Sequence, residues 1–330
     1  MYKDDLKTRL DIFLSKELNI SRSQALNLIK KNLVKVNDKI VNKSGAELKN
    51  SDLIEISKVE SSDTLEKKSD IYIQRIYEDD DILVINKPPF LATHGAASLK
   101  EESLVDWLKT HRIQLSNIAG EKKEGIVHRL DKQTSGAMVI AKNNATHSFL
   151  SEQLRSRQMG RLYIAIIDLV LKEDIEIECY LARNPKNRLK FSKCNLKANA
   201  SDIKTNDIKF LMPQNSSARY SKSNFYKILL SNDLKKELIL AKLSTGRTHQ
   251  IRAHLESINR HIIGDNLYGY NGEEYRIMLH SYILYLQHPK LGKMSFQARL
   301  FDDMNFYLEK YFNMESVNEV LADISNRFVF

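Results

Sequence analysis

A nine-residue polar string, His128-Arg129-Leu130-Asp131-Lys132-Gln133-Thr134-Ser135-Gly136, lies between two short apolar runs, Gly125-Ile126-Val127 and Ala137-Met138-Val139-Ile140-Ala141. Runs this short and this apolar predict buried strands. The chain must then carry the Asp131 carboxylate in a loop held by rigid elements, where chemistry-bearing groups are common. An isolated Arg-Leu-Asp reads as a surface ion pair of little consequence. Asp131 differs because the whole string around it, with its Thr, Ser and Gly, is specific.

Four further strings accompany it in a fixed order. Asn86-Lys87-Pro88 precedes it; Gly160-Arg161-Leu162-Tyr163-Ile164-Ala165 follows. Then come Thr245-Gly246-Arg247-Thr248-His249-Gln250-Ile251-Arg252-Ala253-His254-Leu255 and Met278-Leu279-His280-Ser281. In content and order these resemble the motifs of the RluA-type RNA pseudouridine synthases, across roughly residues 70 to 305. The resemblance implies an α+β fold with a mixed, mainly antiparallel central sheet flanked by helices. It also implies isomerisation of a uridine inside an RNA chain. The bond from sugar to uracil nitrogen breaks, the ring turns, and the sugar is rejoined to a uracil carbon. Nothing is oxidised and no group leaves, so no cofactor is expected.

By this resemblance Asp131 is the catalytic carboxylate at the sugar face of the base. It would act as nucleophile, as base on the sugar, or as stabiliser of positive charge there, and the sequence leaves all three open. A carboxylate withdrawn from water stays ionised more readily beside a cation, and the resemblance assigns that part to Arg247. The residues agree. Leu238 to Ser244 predicts a strand, and Thr248 is placed to cap a helix with Ile251, Leu255 and Ile258 on one face. Arg247 then falls just before the positive end of a helix, a poor place for a cation unless an anion is near. The same position also suits a phosphate contact. Tyr163, by itself a core residue of a strand over Leu162 to Leu169, becomes by resemblance the ring that stacks on the extracted base. Its hydroxyl would lie near the ring proton that must be lost. Arg129 is the family's candidate for entering the space the base leaves. Leu279 resembles an apolar residue that packs near the uracil, and His128 reads as structural.

Residues 1 to 58 form a separate expected unit. Ser21 and Gln24 fit a capping box, followed by Ala25, Leu28 and Ile29 on one helical face. Val34-Lys35-Val36 predicts a strand, Asn37-Asp38 a turn, Ile40-Val41 its continuation, and Leu53-Ile54-Glu55-Ile56 a further strand. These strings, with Arg9-Leu10-Asp11-Ile12-Phe13-Leu14, resemble the small α/β RNA-binding domain first named for a ribosomal small-subunit protein. Where that family often has Gly after its second helix, this chain has Asn32, which tolerates the left-handed turn better than most residues. Twelve Lys/Arg against eight Asp/Glu give this region a charge of +4. With the pattern, Arg22, Lys30 and Lys31, outside the apolar stripe, are expected to meet an RNA backbone.

The formal charge of +9 favours a polyanionic partner without identifying it. Cys179 and Cys194 make neither a disulfide framework nor a zinc pattern, and no His pair has metal-site spacing with fitting neighbours, so no metal is expected. The start is charged rather than a signal peptide, and no apolar run approaches a membrane span. A monomer in the cytoplasm, where ribosomal and transfer RNA reside, is expected. Residues 59 to 70 read as a linker, 71 to 312 as the catalytic domain, and 313 to 330 as a helical tail packed on it. The Asn-, Ser- and Lys-rich stretch from Lys193 to Asn224 reads as a surface loop, with an extra RNA contact as the alternative. Two rivals stand beside the isomerase: an RNA-binding assembly factor without chemistry, and a glycosidic-bond hydrolase. Intact Asp131, Tyr163 and Arg247 count against the first. The second would place two carboxylates across the bond, and the matched motifs offer one. The amino-terminal domain favours large-subunit ribosomal RNA over transfer RNA as substrate.

Overall fold

The computed structural model describes residues 8–18, 20, 22–49, 51–57, 71–95, 101–120, 123–194, 217–274 and 276–328. The expected linker, the Ser21 and Gln24 side chains of the expected capping box, and residues 195–216 of the polar stretch lie outside what is described.

The amino-terminal unit runs β1 (Thr8–Arg9), α1 (Leu10–Glu17), α2 (Arg22–Lys30), β2 (Val34–Val36), β3 (Lys39–Ile40), β4 (Glu47–Leu48) and β5 (Ile54–Ile56). Leu10 and Leu14, one turn apart on α1, meet Ala25 and Ile29, one turn apart on α2, over Val34; all five are fully buried. Asn32 adopts φ 59°, the left-handed turn its residue type allows. Asn37 and Asp38, with φ 51° and 64°, form the two-residue turn between β2 and β3.

The large unit continues with β6 (Gln74–Glu78), β7 (Ile82–Lys87), α3 (Leu104–Thr110), β8 (Ser135–Ala141), α4 (Asn144–Ser156) and β9 (Gly160–Ile167). Next come β10 (Ile175–Arg183), β11 (Phe191–Lys193), β12 (Arg219–Leu230), β13 (Glu237–Leu243) and α5 (Gln250–Glu256). It closes with β14 (Leu279–His288), β15 (Gly292–Gln297), α6 (Asp302–Tyr311) and α7 (Met314–Phe328). The strands make one sheet in the order β11-β10-β12-β13-β9-β14-β8-β7-β6, with β15 also on β14. Every pairing is antiparallel except β14 with β8, so the expected mixed, mainly antiparallel sheet is what forms.

Strands β7 and β8 are buried along their whole length, and alternation sorts their side chains into two cores. Leu83, Ile85, Met138 and Ile140 belong to one; Ile82, Val84, Ala137, Val139 and Ala141 belong to the other. Helix α7 adds Val317, Leu321 and Ile324 to the first core, so the expected tail does pack on the sheet.

Two expectations are corrected. Gly125-Ile126-Val127 is not a strand; it contributes a single bridge, Ile126 to Ile140. Gly125 has φ 70° and Ile126 N bonds back to Lys123 O at 3.0 Å, so the chain turns here and meets the free part of the β8 edge at one residue. The polar stretch is not loop to its end either, because residues 219–224 belong to β12 and pair with β10, Ser223 and Asn224 pairing with β13 as well.

Candidate active site

Asp131 lies four residues before β8, in a loop fixed from behind. Lys87, fully buried at the end of β7, donates its Nζ to Pro88 O and Leu91 O at 2.8 Å and to Lys132 O at 3.3 Å. Burial pushes the Lys87 ammonium down to about 7; Asp131 pulls it up and Arg276 pushes it down further. Thr93 Oγ1 donates to Leu130 O at 2.7 Å. His128, which the sequence reads as structural, is tied to β8: its Nε2 accepts from Val139 N at 3.2 Å, and burial holds it well below the usual histidine range. Gly136 (φ 116°) passes so close to the Ser281 backbone that a Cβ would strike it. That contact sets β8 against β14 and brings the Asp131 loop beside Leu279.

A cleft of about 420 Å³ opens over this junction, lined by Arg129, Asp131, Tyr163, Arg247, His249, Arg252 and Leu279 among others. It therefore gathers the five expected site residues of the large unit: Asp131, Tyr163, Arg247, Arg129 and Leu279. Tyr163 and Leu279 are buried in its floor, and Arg129 is exposed at its side. Burial raises the Tyr163 phenol, countered by Arg161 and reinforced by Asp131.

The partner of Asp131 is corrected. Arg247 is exposed and donates its Nε to Tyr220 O at 2.9 Å; it makes no ion pair with Asp131. Arg252, one and a half turns further on, donates Nη1 to Asp131 Oδ2 at 3.3 Å. The reason is local. His249 is left-handed (φ 55°) and caps α5 in place of Thr248. Gln250 then latches the turn, its Oε1 accepting from Thr245 Oγ1 at 2.7 Å and Arg247 N at 3.0 Å, and its Nε2 donating to Ser223 Oγ at 2.8 Å. Arg247 stays at the rim while α5 carries Arg252 inward. Asp265 takes Nε and Nη2 of Arg252 at 2.6 and 2.8 Å, and Tyr268 places its ring 4.7 Å below the guanidinium. His249 Nε2 lies 3.7 Å from the same Asp131 oxygen.

A family model described as RNA pseudouridylate synthase matches residues 81–257, and an S4 domain model matches residues 8–54. The chain belongs to the RNA pseudouridine synthase family. A relative from Helicobacter pylori (strain J99), called an uncharacterized RNA pseudouridine synthase, is 50% identical over 323 residues, 96% of this chain and 93% of that protein. A ribosomal large subunit pseudouridine synthase D from Neisseria meningitidis is 32% identical, covering 90% of this chain and 76% of its own length. One of that name from Borreliella burgdorferi is 30% identical over 96% and 93%. Among solved structures, human RNA pseudouridylate synthase domain containing 4 shares the fold, with a TM-score of 0.52 at 22% identity over 72% of this chain and 92% of that one.

In the synthase's S4 unit, Arg22 is not simply presented to a partner. Its Nη2 lies 2.8 Å from Asp11, a buried carboxylate that Arg9 also contacts at 3.0 Å, and the bond from Arg22 is the main cause that lowers the Asp11 carboxyl. Lys30 is exposed at the far end of α2, and Lys31 follows it. The described residues hold one compact His/Asp group, Asp79, Asp81 and His288. Tyr77, Asn143, Thr146 and Lys290 bond its carboxylates.

Sequence reasoning missed Arg252, His249, Asp265 and Tyr268. One local signal pointed to Arg252: it stands on the helix between Ile251 and Ala253, and a buried arginine needs a carboxylate. Asp265 and Tyr268 follow Gly264, whose φ of 81° and closeness to the Arg276 backbone exclude a side chain, but nothing in that spacing says what they face.

Proposed function

We propose that this synthase isomerises uridines of large-subunit ribosomal RNA, with Asp131 as its catalytic carboxylate. The observation that carries the reading is Asp131 itself, at the base of a cleft large enough for a base and its sugar, with Arg252 on one oxygen and Tyr163 in the floor. Fixed donors aimed at a carboxylate hold it in one orientation without rearrangement during reaction.

The target uridine swings out of its stack to reach Asp131. The Tyr163 ring and Leu279 receive the uracil, Arg129 fills the space left behind, and Arg247 holds the backbone at the rim as a phosphate contact. Asp131 then meets the sugar while the glycosidic bond breaks and re-forms to carbon. A hydrolase needs a second carboxylate across the bond. Asp265 does not supply it, since it is 1% exposed and both its oxygens are taken by Arg252. The choice of ribosomal RNA rests on the two relatives named for the large subunit and on the S4 unit.

The test is pseudouridine mapping of total RNA from cells with and without the gene, rescued by wild type or by Asp131→Asn. Large-subunit sites are lost on deletion, restored by wild type and not by the variant. Purified Asp131→Asn turns over at least roughly a thousandfold more slowly and still binds the RNA. Loss of sites in transfer RNA alone overturns the substrate, and rescue by the variant overturns the catalytic assignment.

A further inference from the structure

We propose that Tyr268 is the positioning residue for Asp131, organising the two groups beside that carboxylate, Arg252 and His249, from one short turn. Resting on the reading of Asp131 above, this extends it to a residue that none of the matched strings contains. Tyr268 lies in a 3-10 turn, Asn266–Tyr268, directly after Asp265. It is 1% exposed and touches the Asp131 environment twice.

The first contact is through the ring. Arg252 lies 4.7 Å over its centroid, with Nε and Nη2 held by Asp265. A guanidinium pinned on one edge by a bidentate carboxylate and set over an aromatic ring has Nη1 left over, and Nη1 is the atom on Asp131. The second contact is through the hydroxyl. Phe191 N donates to Tyr268 OH at 2.8 Å, and His249 Nδ1 lies 3.1 Å from the same oxygen. In the proposed arrangement Phe191 fills one acceptor site and the phenolic proton goes to His249 Nδ1, which is then bare. The ring proton is thereby placed on Nε2, the atom 3.7 Å from Asp131 Oδ2. The reverse tautomer would turn an unprotonated nitrogen toward the carboxylate. Burial keeps His249 below its ordinary value and lifts the Tyr268 phenol to about 12, so both stay neutral in this arrangement near pH 7.

Nitrogen NMR on the full-length protein, with His249 assigned through His249→Gln, reads the tautomer directly. The proton is expected on Nε2 in the wild type, and Tyr268→Phe shifts it toward Nδ1. A wild-type proton on Nδ1 overturns the proposal. Single-turnover rates on a large-subunit RNA transcript give the second reading, with thermal scans and RNA Kd measured alongside. Tyr268→Phe, which keeps the ring, and His249→Ala each slow the chemical step on the order of tenfold at unchanged Kd. The double variant is no slower than His249→Ala alone. His249→Gln, whose amide nitrogen reaches toward the Nε2 position, recovers most of the rate. Effects that multiply in the double variant, or that fall on Kd alone, overturn the proposal. A wild type that makes no pseudouridine counts against the functional reading instead, while the tautomer still decides the positioning.

Discussion

Arg252 meets three groups at once: Asp131 through Nη1, Asp265 through Nε and Nη2, and the Tyr268 ring beneath. A lysine ammonium is a point charge and cannot replace a planar fork in that setting. Arg252→Lys is therefore expected to cost both function and stability. It leaves the buried Asp265 poorly compensated, a loss of roughly 3–5 kcal/mol for a broken buried pair, and it lowers single-turnover rates by on the order of a hundredfold or more. Arg247→Ala behaves differently. It leaves the rate on bound RNA near wild type, weakens RNA affinity, and lowers the salt slope of binding by about one. Titrations at several salt concentrations, paired with single-turnover rates, separate the two arginines. If Arg247→Ala abolishes the chemical step at saturating RNA, Arg247 is not merely a rim contact.

The element that joins the two halves of the sheet is β14, and its first residues are tied to β8 by a buried polar chain. Arg276 donates to Ser135 Oγ, Ser135 meets His280 Nδ1 at 2.7 Å, and His280 Nε2 meets Ala298 O at 3.2 Å. Burial pushes the His280 imidazole down to about 3; the bond to Ala298 opposes this and Arg276 adds to it. The folded ring thus stays neutral from its ordinary value near 6.5 down to about 3, while the unfolded ring takes up a proton across that window. The unfolded state binds more protons there, so this stabilising contribution is complete above pH 6.5 and is lost as pH falls toward 3. Urea unfolding from pH 7 to 4 is expected to show the stability gap between wild type and His280→Asn narrowing as pH falls. A constant gap removes His280 as the source. At this scale the strands around the site were legible because runs such as Met138-Val139-Ile140 are fully buried and apolar. The failure at Gly125-Ile126-Val127 has a local cause: Gly125 turns the chain with φ 70° and Ile126 N bonds back to Lys123 O, so the run touches β8 at a single bridge.

For the whole molecule, the amino-terminal unit has its own core of Leu10, Leu14, Ala25, Ile29 and Val34, and it shares no residue with the cores of the large sheet. Tethered modules on one RNA raise overall affinity without altering the chemistry of either. Deleting residues 1 to 58 is expected to weaken binding to structured RNA by on the order of ten- to a hundredfold, with single-turnover rates at saturating RNA changed less than about twofold. Equal affinity with and without the unit shows that it does not anchor the RNA tested. No helix among the described residues is long and apolar enough to cross a membrane.

The sequence by itself determined the family, the mixed sheet, the S4 unit and the loop that carries Asp131, because each is written in contiguous strings whose local chemistry is specific. Tyr163, Arg129 and Leu279, singled out from the sequence, line the cleft in the folded chain. Only the tertiary structure decided which arginine faces Asp131. Arg247 and Arg252 stand five residues apart in one motif. The choice between them was made by the left-handed His249, the Gln250 latch to Ser223, and the Asp265 carboxylate and Tyr268 ring brought in from beyond α5. A buried cation goes where its hydrogen-bond partners are, and those partners meet only once the chain has folded.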